Sequence, residues 1–253
     1  MRFNLSILLC FSAASTALLA QVATSYSQNG EMVVTSGIPF RAERVTHISR
    51  TLSDGNEISQ EQHEAIARDA EGRFYDESRL TSSGGHPPSK ANLFYLVIDP
   101  VAHTSSNWNT LSNNGTMQHL ALTTHVTVSA LLSSSRDISI RHLTGDDIKT
   151  ATEDLGKKTI AGLQCSGTRK TTTIPPRRIG NVNAIVLSDE RWTSPDLQLI
   201  ISETEVDPLN GNRTSEFVSV SRDDPPTSLF KVPENIAFKN PLAEGVVNLG
   251  TAR

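Results

Sequence analysis

The clearest pattern in the chain lies between Thr152 and Val232, where short stretches of two-residue alternation are separated by clusters of turn-forming residues. From Ala161 to Gly167 the odd positions Ala161, Leu163, Cys165 and Gly167 are small or apolar, with Gln164, Ser166 and Thr168 polar between or beyond them. That is the period of a half-buried strand. Ile174-Pro175-Pro176 ends the run, because proline has no N–H to give to a ladder and restrains the residue before it. Gly180-Asn181 then supplies residues tolerant of positive φ. Asn183–Trp192 reads as the next strand, broken at Ser194-Pro195-Asp196. Leu197, Leu199 and Ile201 open a third, ended by Asp207-Pro208-Leu209-Asn210-Gly211, and Arg213–Arg222 returns as a fourth carrying Phe217, Val218 and Val220. Short connections between successive strands make neighbours antiparallel, hence a meander.

The first half of the chain carries the same punctuation. Arg41–Leu52, Asp54-Gly55 and Glu57–Asp69 predict a hairpin, since Asp-Gly is a strong two-residue hairpin turn. A helix competes over the second arm, where Ile58, Gln62, Ala65, Ile66 and Asp69 have roughly helical spacing; the strand reading is preferred. Glu71-Gly72 turns the chain into a third strand, Arg73–Thr81, and SSGGHPPS at 82–89 is a loop by composition. Leu93–Ile98 is apolar on both faces, as in a strand covered on both sides. Asp99-Pro100 ends it, with Asp99 as a turn-forming carboxylate, and Val101–Trp108 pairs back. The Ser/Thr/Asn-rich stretch 109–150 reads as a long, partly mobile insertion with short strands at Leu120–Val128 and Ile138–Leu143. The expectation is a mainly β fold: an antiparallel meander forming a curved sheet or half-barrel with few helices. One domain is built from 40–108 and 151–238, preceded by a flexible lead at 21–39 with a short strand at Met32–Thr35 and followed by a tail at 239–253.

Composition narrows the function classes. The 253 residues carry a net charge of −4 with the signs interspersed and only 5% aromatic residues. No electrostatic footprint for nucleic acid is present, and a base- or sugar-stacking platform is disfavoured. The start of the chain adds a location. Met1–Asn4 has one positive charge and Leu5–Ala20 is apolar and uncharged, a pattern that reads as a signal peptide over 1–20 and hence a periplasmic or extracellular protein. The apolar run, about 16 residues, is short for a bilayer span, and no later segment is long and apolar enough to cross as a helix. Cys10 lies inside that run after Leu9, which disfavours lipid attachment, so Cys165 is the single cysteine of the mature chain and an intrachain disulfide is excluded.

Candidate chemistry is sparse. His47, His63, His86, His103, His119, His125 and His142 fall in no HExxH, HxH or zinc-finger spacing. Cys165 falls on the apolar side of a strand, the setting of a structural thiol and not of a low-pKa nucleophile. Carboxylate pairs such as Asp146-Asp147 and Asp189-Glu190 point to opposite faces when they lie on strands. Asn114-Gly115-Thr116 and Asn212-Arg213-Thr214 match the glycosylation acceptor pattern. The expectation is a non-enzymatic protein with no catalytic residue, metal or cofactor.

The segments RTLSDGNEIS, ARDAEGRFYDE, NLFYLVIDPVA, EDLGKKTIAGLQCSGTRKTTTIPPRRIGN, ERWTSPDLQLII and DDPPTSLFKVPENI resemble a group of uncharacterised exported bacterial β-rich proteins, over most of Arg41–Ile236. More distantly, the run of antiparallel strands is similar to the periplasmic lipoprotein-carrier (LolA-like) and sigma-regulator half-barrel, whose curved face holds acyl chains under covering helices. That likeness implies a lipid or other hydrophobic envelope ligand. The apolar surface it requires would be contributed by Leu93, Tyr95, Val97, Leu163, Leu197, Leu199 and Ile201. No covering helices are evident, and Arg41–Asp69 is polar for a greasy lining. The alternative is a structural or protein-interaction module with no small-molecule ligand, in which the same side chains are packed in a core and the partner is an envelope protein.

Overall fold

The computed structural model describes residues 38–81, 92–119 and 147–239, with Leu80 and Thr81 described by their backbone only. The signal peptide, the strand at Met32–Thr35, and the strands at Leu120–Val128 and Ile138–Leu143 lie outside the described residues. The described residues form twelve strands: β1 (Phe40–Thr51), β2 (Glu57–Arg68), β3 (Phe74–Thr81), β4 (Leu93–Asp99), β5 (Thr104–Asn109), β6 (Asn114–His119), β7 (Lys149–Ile160), β8 (Leu163–Ile174), β9 (Ile185–Ser194), β10 (Leu199–Val206), β11 (Asn212–Ser221) and β12 (Ala237–Lys239). The described residues contain no α-helix, only one 3-10 turn at Thr227–Phe230.

All strands join one open sheet in the order β12-β6-β5-β4-β3-β2-β1-β11-β10-β9-β8-β7. It is two antiparallel meanders, β1–β6 and β7–β11, joined where β1 pairs with β11; only the short β12 runs parallel to its neighbour, β6. The turns fall at their sequence signals, but the β1–β2 connection is the five residues 52–56 and not a two-residue Asp54-Gly55 turn, closed by the Leu52 N–H on the Asn56 carbonyl. In the β1–β2 connection Gly55 takes φ 86° and the Asp54 carboxylate accepts the Asn56 N–H at 3.0 Å. The Asp99 carboxylate accepts the amides of Val101 and Ala102, both at 2.8 Å. Ala161 and Gly162, both at positive φ, make the two-residue turn between β7 and β8, the mirror-image type that matches strand twist. At Gly211 (φ 99°) a Cβ would lie 2.4 Å from the Ser49 carbonyl oxygen, so this turn admits glycine alone.

Curvature is read from one contact. Arg68 at the end of β2 donates from Nη2 to the Leu197 carbonyl at 3.1 Å. Leu197 lies in the turn before β10, and β10 is three sheet positions from β2. Strands are about 4.8 Å apart, so a flat sheet would separate these residues by roughly 14 Å; the sheet bends toward the face that carries Arg68. The main core fills that bend. Phe40, Ile66, Phe74 and Ile98 pack with Leu197, Leu199, Ile201 and Phe217, all nearly or fully buried, each worth about 1.5–3 kcal/mol of transfer free energy. A second cluster, Ala67, Tyr75, Val97, Trp108 and Phe230, lies on the opposite face of β2–β5, where the chain after β11 folds back over it.

Candidate functional site

The curved face is not uniformly apolar. One cross-strand row runs Gln62, Thr46, Ser215, Glu203, Arg191 and Thr168 through six strands, and the next runs Arg213, Glu205, Asp189 and Lys170. Residues directly opposite in a ladder share a face, so these rows form a polar belt across the bend. Glu203, 2% exposed, receives Arg213 Nη1 on Oε2 at 2.7 Å and has Arg191 Nε 2.9 Å from Oε1. Thr46 Oγ1 bonds Ser215 Oγ at 3.0 Å, and Arg44 donates to a Glu64 carboxylate as buried as itself. Beside that pair, on β3, burial and then the Glu64 charge push the Asp76 carboxyl up to about 8, with Arg44 opposing; its Oδ1 is buried with no hydrogen-bond partner. Burial likewise moves Asp189 to about 6, against Arg191. Arg68, fully buried, is held by the carbonyls of Ile38 and Leu197, and burial with the nearby Arg222 charge lowers it to about 10.

The seven residues expected to line one apolar surface fall into two groups on separate clusters. Leu163, Leu197, Leu199 and Ile201 are buried in the main core with Phe217 and Trp192. Val97 and Tyr95 belong to the second cluster, on the face opposite the belt, since Tyr95 pairs with Trp108 and Glu77 while Leu96 pairs with Asp76. Leu93 shares the parity of Tyr95 and Val97 and is half-buried. The apolar run of β4 is thus divided between the two faces, as its lack of alternation requires.

A cleft of about 450 Å³ opens over the second cluster. Its floor is Tyr75, Tyr95 and Trp108, and its far wall is Leu229, Pro233 and Ile236 from the chain after β11. The Tyr95 and Trp108 rings stack at 5.1 Å between centroids, and Phe238 meets Trp108 edge-on at 6.1 Å. Gly115 makes room for that ring: a Cβ there would lie 2.6 Å from Phe238. Tyr75 donates its hydroxyl to Glu77 at 2.7 Å, and burial followed by that bond raises its pKa. Several polar groups of the rim are spent on turns: Thr110 Oγ1 accepts the Leu93 N–H, Asn109 Oδ1 the Leu111 N–H and Ser112 Oγ the Asn114 N–H. Asn113, Ser228, Lys231 and Asn235 complete the rim. Sequence reasoning gave Tyr95 to a single apolar surface shared with Leu163, Leu197, Leu199 and Ile201, and missed this cleft and its opposite wall; the signal was available in Leu229, Phe230, Val232 and Ile236, an apolar spacing just beyond the last meander strand.

The remaining candidates resolve into structural roles. Cys165 is buried, its thiol pushed up by burial, opposite to the shift a nucleophile needs. His63 lies between Glu61 and Glu43, and His47 against Glu61, on an exposed part of β1–β2. Among the described residues no group of three or more His, Cys, Asp or Glu could hold a metal ion, and no helix is long and apolar enough to cross a membrane.

In class, then, this is an open, curved, single-sheet antiparallel β-protein with a charged interior belt and an aromatic cleft on its other face. No family model and no curated protein matches the chain. It is similar to the solved structure of MucB, at 9% identity and a TM-score of 0.37, over 89% of this chain and 65% of that one; the chain therefore spans about two thirds of MucB. It is similar also to a β-barrel-like protein of the DUF1849 domain from Brucella abortus, at 8% identity, a TM-score of 0.36, and 75% and 99% coverage. A putative outer membrane lipoprotein-sorting protein domain from Vibrio parahaemolyticus matches at 7% identity, a TM-score of 0.29, and 87% and 96% coverage. At such scores the likeness assigns no activity, and the functional reading rests on the side chains.

Proposed function

We propose that the protein is an exported, non-catalytic binding module that recognises a protein partner of the cell envelope by seating an apolar side chain of that partner in the Tyr75–Tyr95–Trp108 cleft. The observation that carries this reading is the cleft itself, whose size falls in the range of small-ligand sites and whose aromatic floor is bounded by amides and hydroxyls. Aromatic residues in such a pocket are the usual anchors of protein recognition. The acyl-carrier reading is less well supported. Leu163, Leu197, Leu199 and Ile201 are already spent on the core, and a charged belt crosses the bend where an acyl chain would lie. Export rests on the sequence of residues 1–20.

The test uses the full chain labelled with fluorotryptophan, which gives one fluorine signal from Trp108 and one from Trp192, assigned with Trp108→Phe. Capped peptides carrying leucine or phenylalanine are titrated in, with decanoate as the acyl probe. The reading expects the Trp108 signal to shift saturably with peptide while Trp192 stays still. A Trp108 signal indifferent to every peptide overturns it.

A further inference from the structure

We infer that the cleft is built for an acidic segment of its partner, with Lys231 taking a carboxylate that sits beside the seated apolar side chain. This rests on the binding reading above and names the chemistry of the same site. Among the described residues that line the cleft Lys231 is the one charged residue, and it is exposed at the rim, on the wall opposite Trp108. Among the described residues it forms no ion pair, as is true of Lys149, Lys157, Lys158 and Lys170, so its ammonium is available to a ligand; what distinguishes it is its place at the cleft. The chain as a whole is acidic, so an unpaired ammonium at the mouth of its aromatic cleft is a local reversal of sign. Glu77, two residues from Tyr75 on β3, stands outside the cleft lining and is bonded to the Tyr75 hydroxyl.

The rim also separates a peptide from an anionic amphiphile. Asn113, Ser228 and Asn235 stand around the opening with Lys231. Carboxamides and hydroxyls can pair with the N–H and C=O groups of a peptide flanking its apolar anchor, and an alkyl chain offers them nothing. These groups are exposed and hydrated; an alkyl chain laid over them would displace that water without replacing its hydrogen bonds, which favours the peptide. The arrangement is one apolar pocket, one cation and a set of amide-competent groups.

Three capped peptides differing at one position, leucine followed by aspartate, asparagine or lysine, are compared on the fluorotryptophan-labelled protein and on Lys231→Gln, an exposed substitution. The aspartate peptide is expected to bind roughly two- to fivefold more tightly than the asparagine peptide, the range of a solvent-exposed ion pair. The lysine peptide is expected to bind weakest. Lys231→Gln removes the difference between aspartate and asparagine, and added salt narrows it in the wild type. Equal affinities for all three peptides, or a charge preference that survives Lys231→Gln, overturn the inference while leaving the cleft as a binding site. Decanoate that displaces the aspartate peptide and binds more tightly overturns the peptide assignment. No Trp108 response to any probe removes the binding reading itself.

Discussion

Replacing Glu203 with glutamine is the sharpest test of the polar belt. The substitution keeps the shape of the side chain and removes its charge, at a carboxylate that is 2% exposed and lies within 2.9 Å of two guanidinium groups. Arg191 retains Asp189, whose Oδ2 is 2.7 Å from Arg191 Nη2. Arg213, with a side chain only 10% exposed, has no other ion-pair partner among the described residues and is left as a buried cation facing an amide. Breaking one side of a buried pair costs about 3–5 kcal/mol; with half of the arrangement still satisfied, the lower end applies, about 3 kcal/mol. The assay is equilibrium urea unfolding followed by circular dichroism, with an unchanged slope confirming that the unfolding transition is the same one. A double-mutant cycle with Arg213→Met isolates the pair: once the arginine is gone, Glu203→Gln is expected to lose most of its effect. A loss within about 0.5 kcal/mol of wild type, the range of ordinary surface substitutions, or an equal loss in the Arg213→Met background, refutes the claim that Glu203 stabilises a buried cation.

Other consequences are as direct. At Gly167 a Cβ would lie 2.6 Å from the Trp192 ring that covers it, so Gly167→Ala is expected to lose about 1–3 kcal/mol by overpacking and to shift the fluorescence of Trp192; an unchanged urea midpoint counts against the close approach. The Asp76 carboxyl, near 3.9 when unfolded, sits at about 8 in the fold. The native state therefore keeps a proton that the unfolded chain has lost, and stability falls as pH rises through that window, being highest below it. Asp76→Asn is expected to flatten that fall, measured as urea midpoints across pH, and a slope unchanged in the variant contradicts the assignment. Cys165, buried and with its thiol pKa raised, is expected to react with a disulfide reagent only as fast as the sheet opens and rapidly in urea; prompt reaction of the native protein would show the strand to be exposed.

How much of this was legible depends on which forces shaped each segment. The hairpin at Asp54-Gly55 and the turns at Asp207–Gly211 were readable because local backbone geometry demands those residues. The strands β8 to β11 were readable because one face of each is buried, which imposes the two-residue period. β7 was not read as a strand, because nearly every side chain from Lys149 to Thr159 is exposed and the segment is held by backbone pairing to β8 on one side only. Its lysines and the register shift between Asp154 and Gly156 are what an edge strand carries against unwanted pairing, and they erase the hydrophobic pattern. β6, inside the Ser/Thr-rich stretch, was missed for another reason: it is only six residues long, Asn114–His119, half-buried and without apolar alternation. The site was half visible for a different reason. In β4 both parities are apolar, so the sequence could give Tyr95 and Val97 to a ligand face but could not say that Leu199 and Ile201 pack on the other one.

The belt bears on how each meander is held together and how the two are joined. The two meanders are each assembled from neighbours in sequence, but the join between them, β1 with β11, pairs residues about 170 positions apart, such as Thr46 with Ser215. Local turns cannot set that register, and a slip by one residue would exchange the two faces of the whole second meander. A slip by two residues keeps the faces, and hydrophobic contacts tolerate that one better, because one aliphatic side chain substitutes for another. Hydrogen-bonded and ionic pairs do not, since a misplaced partner leaves a charge buried and alone. Arg44 with Glu64, Thr46 with Ser215, and Arg213 with Glu203 stand on the strands that form or flank the seam. Of these, only Thr46 with Ser215 crosses the seam and would be broken by a slip there; the two ion pairs lock β1 to β2 and β10 to β11, within one meander each.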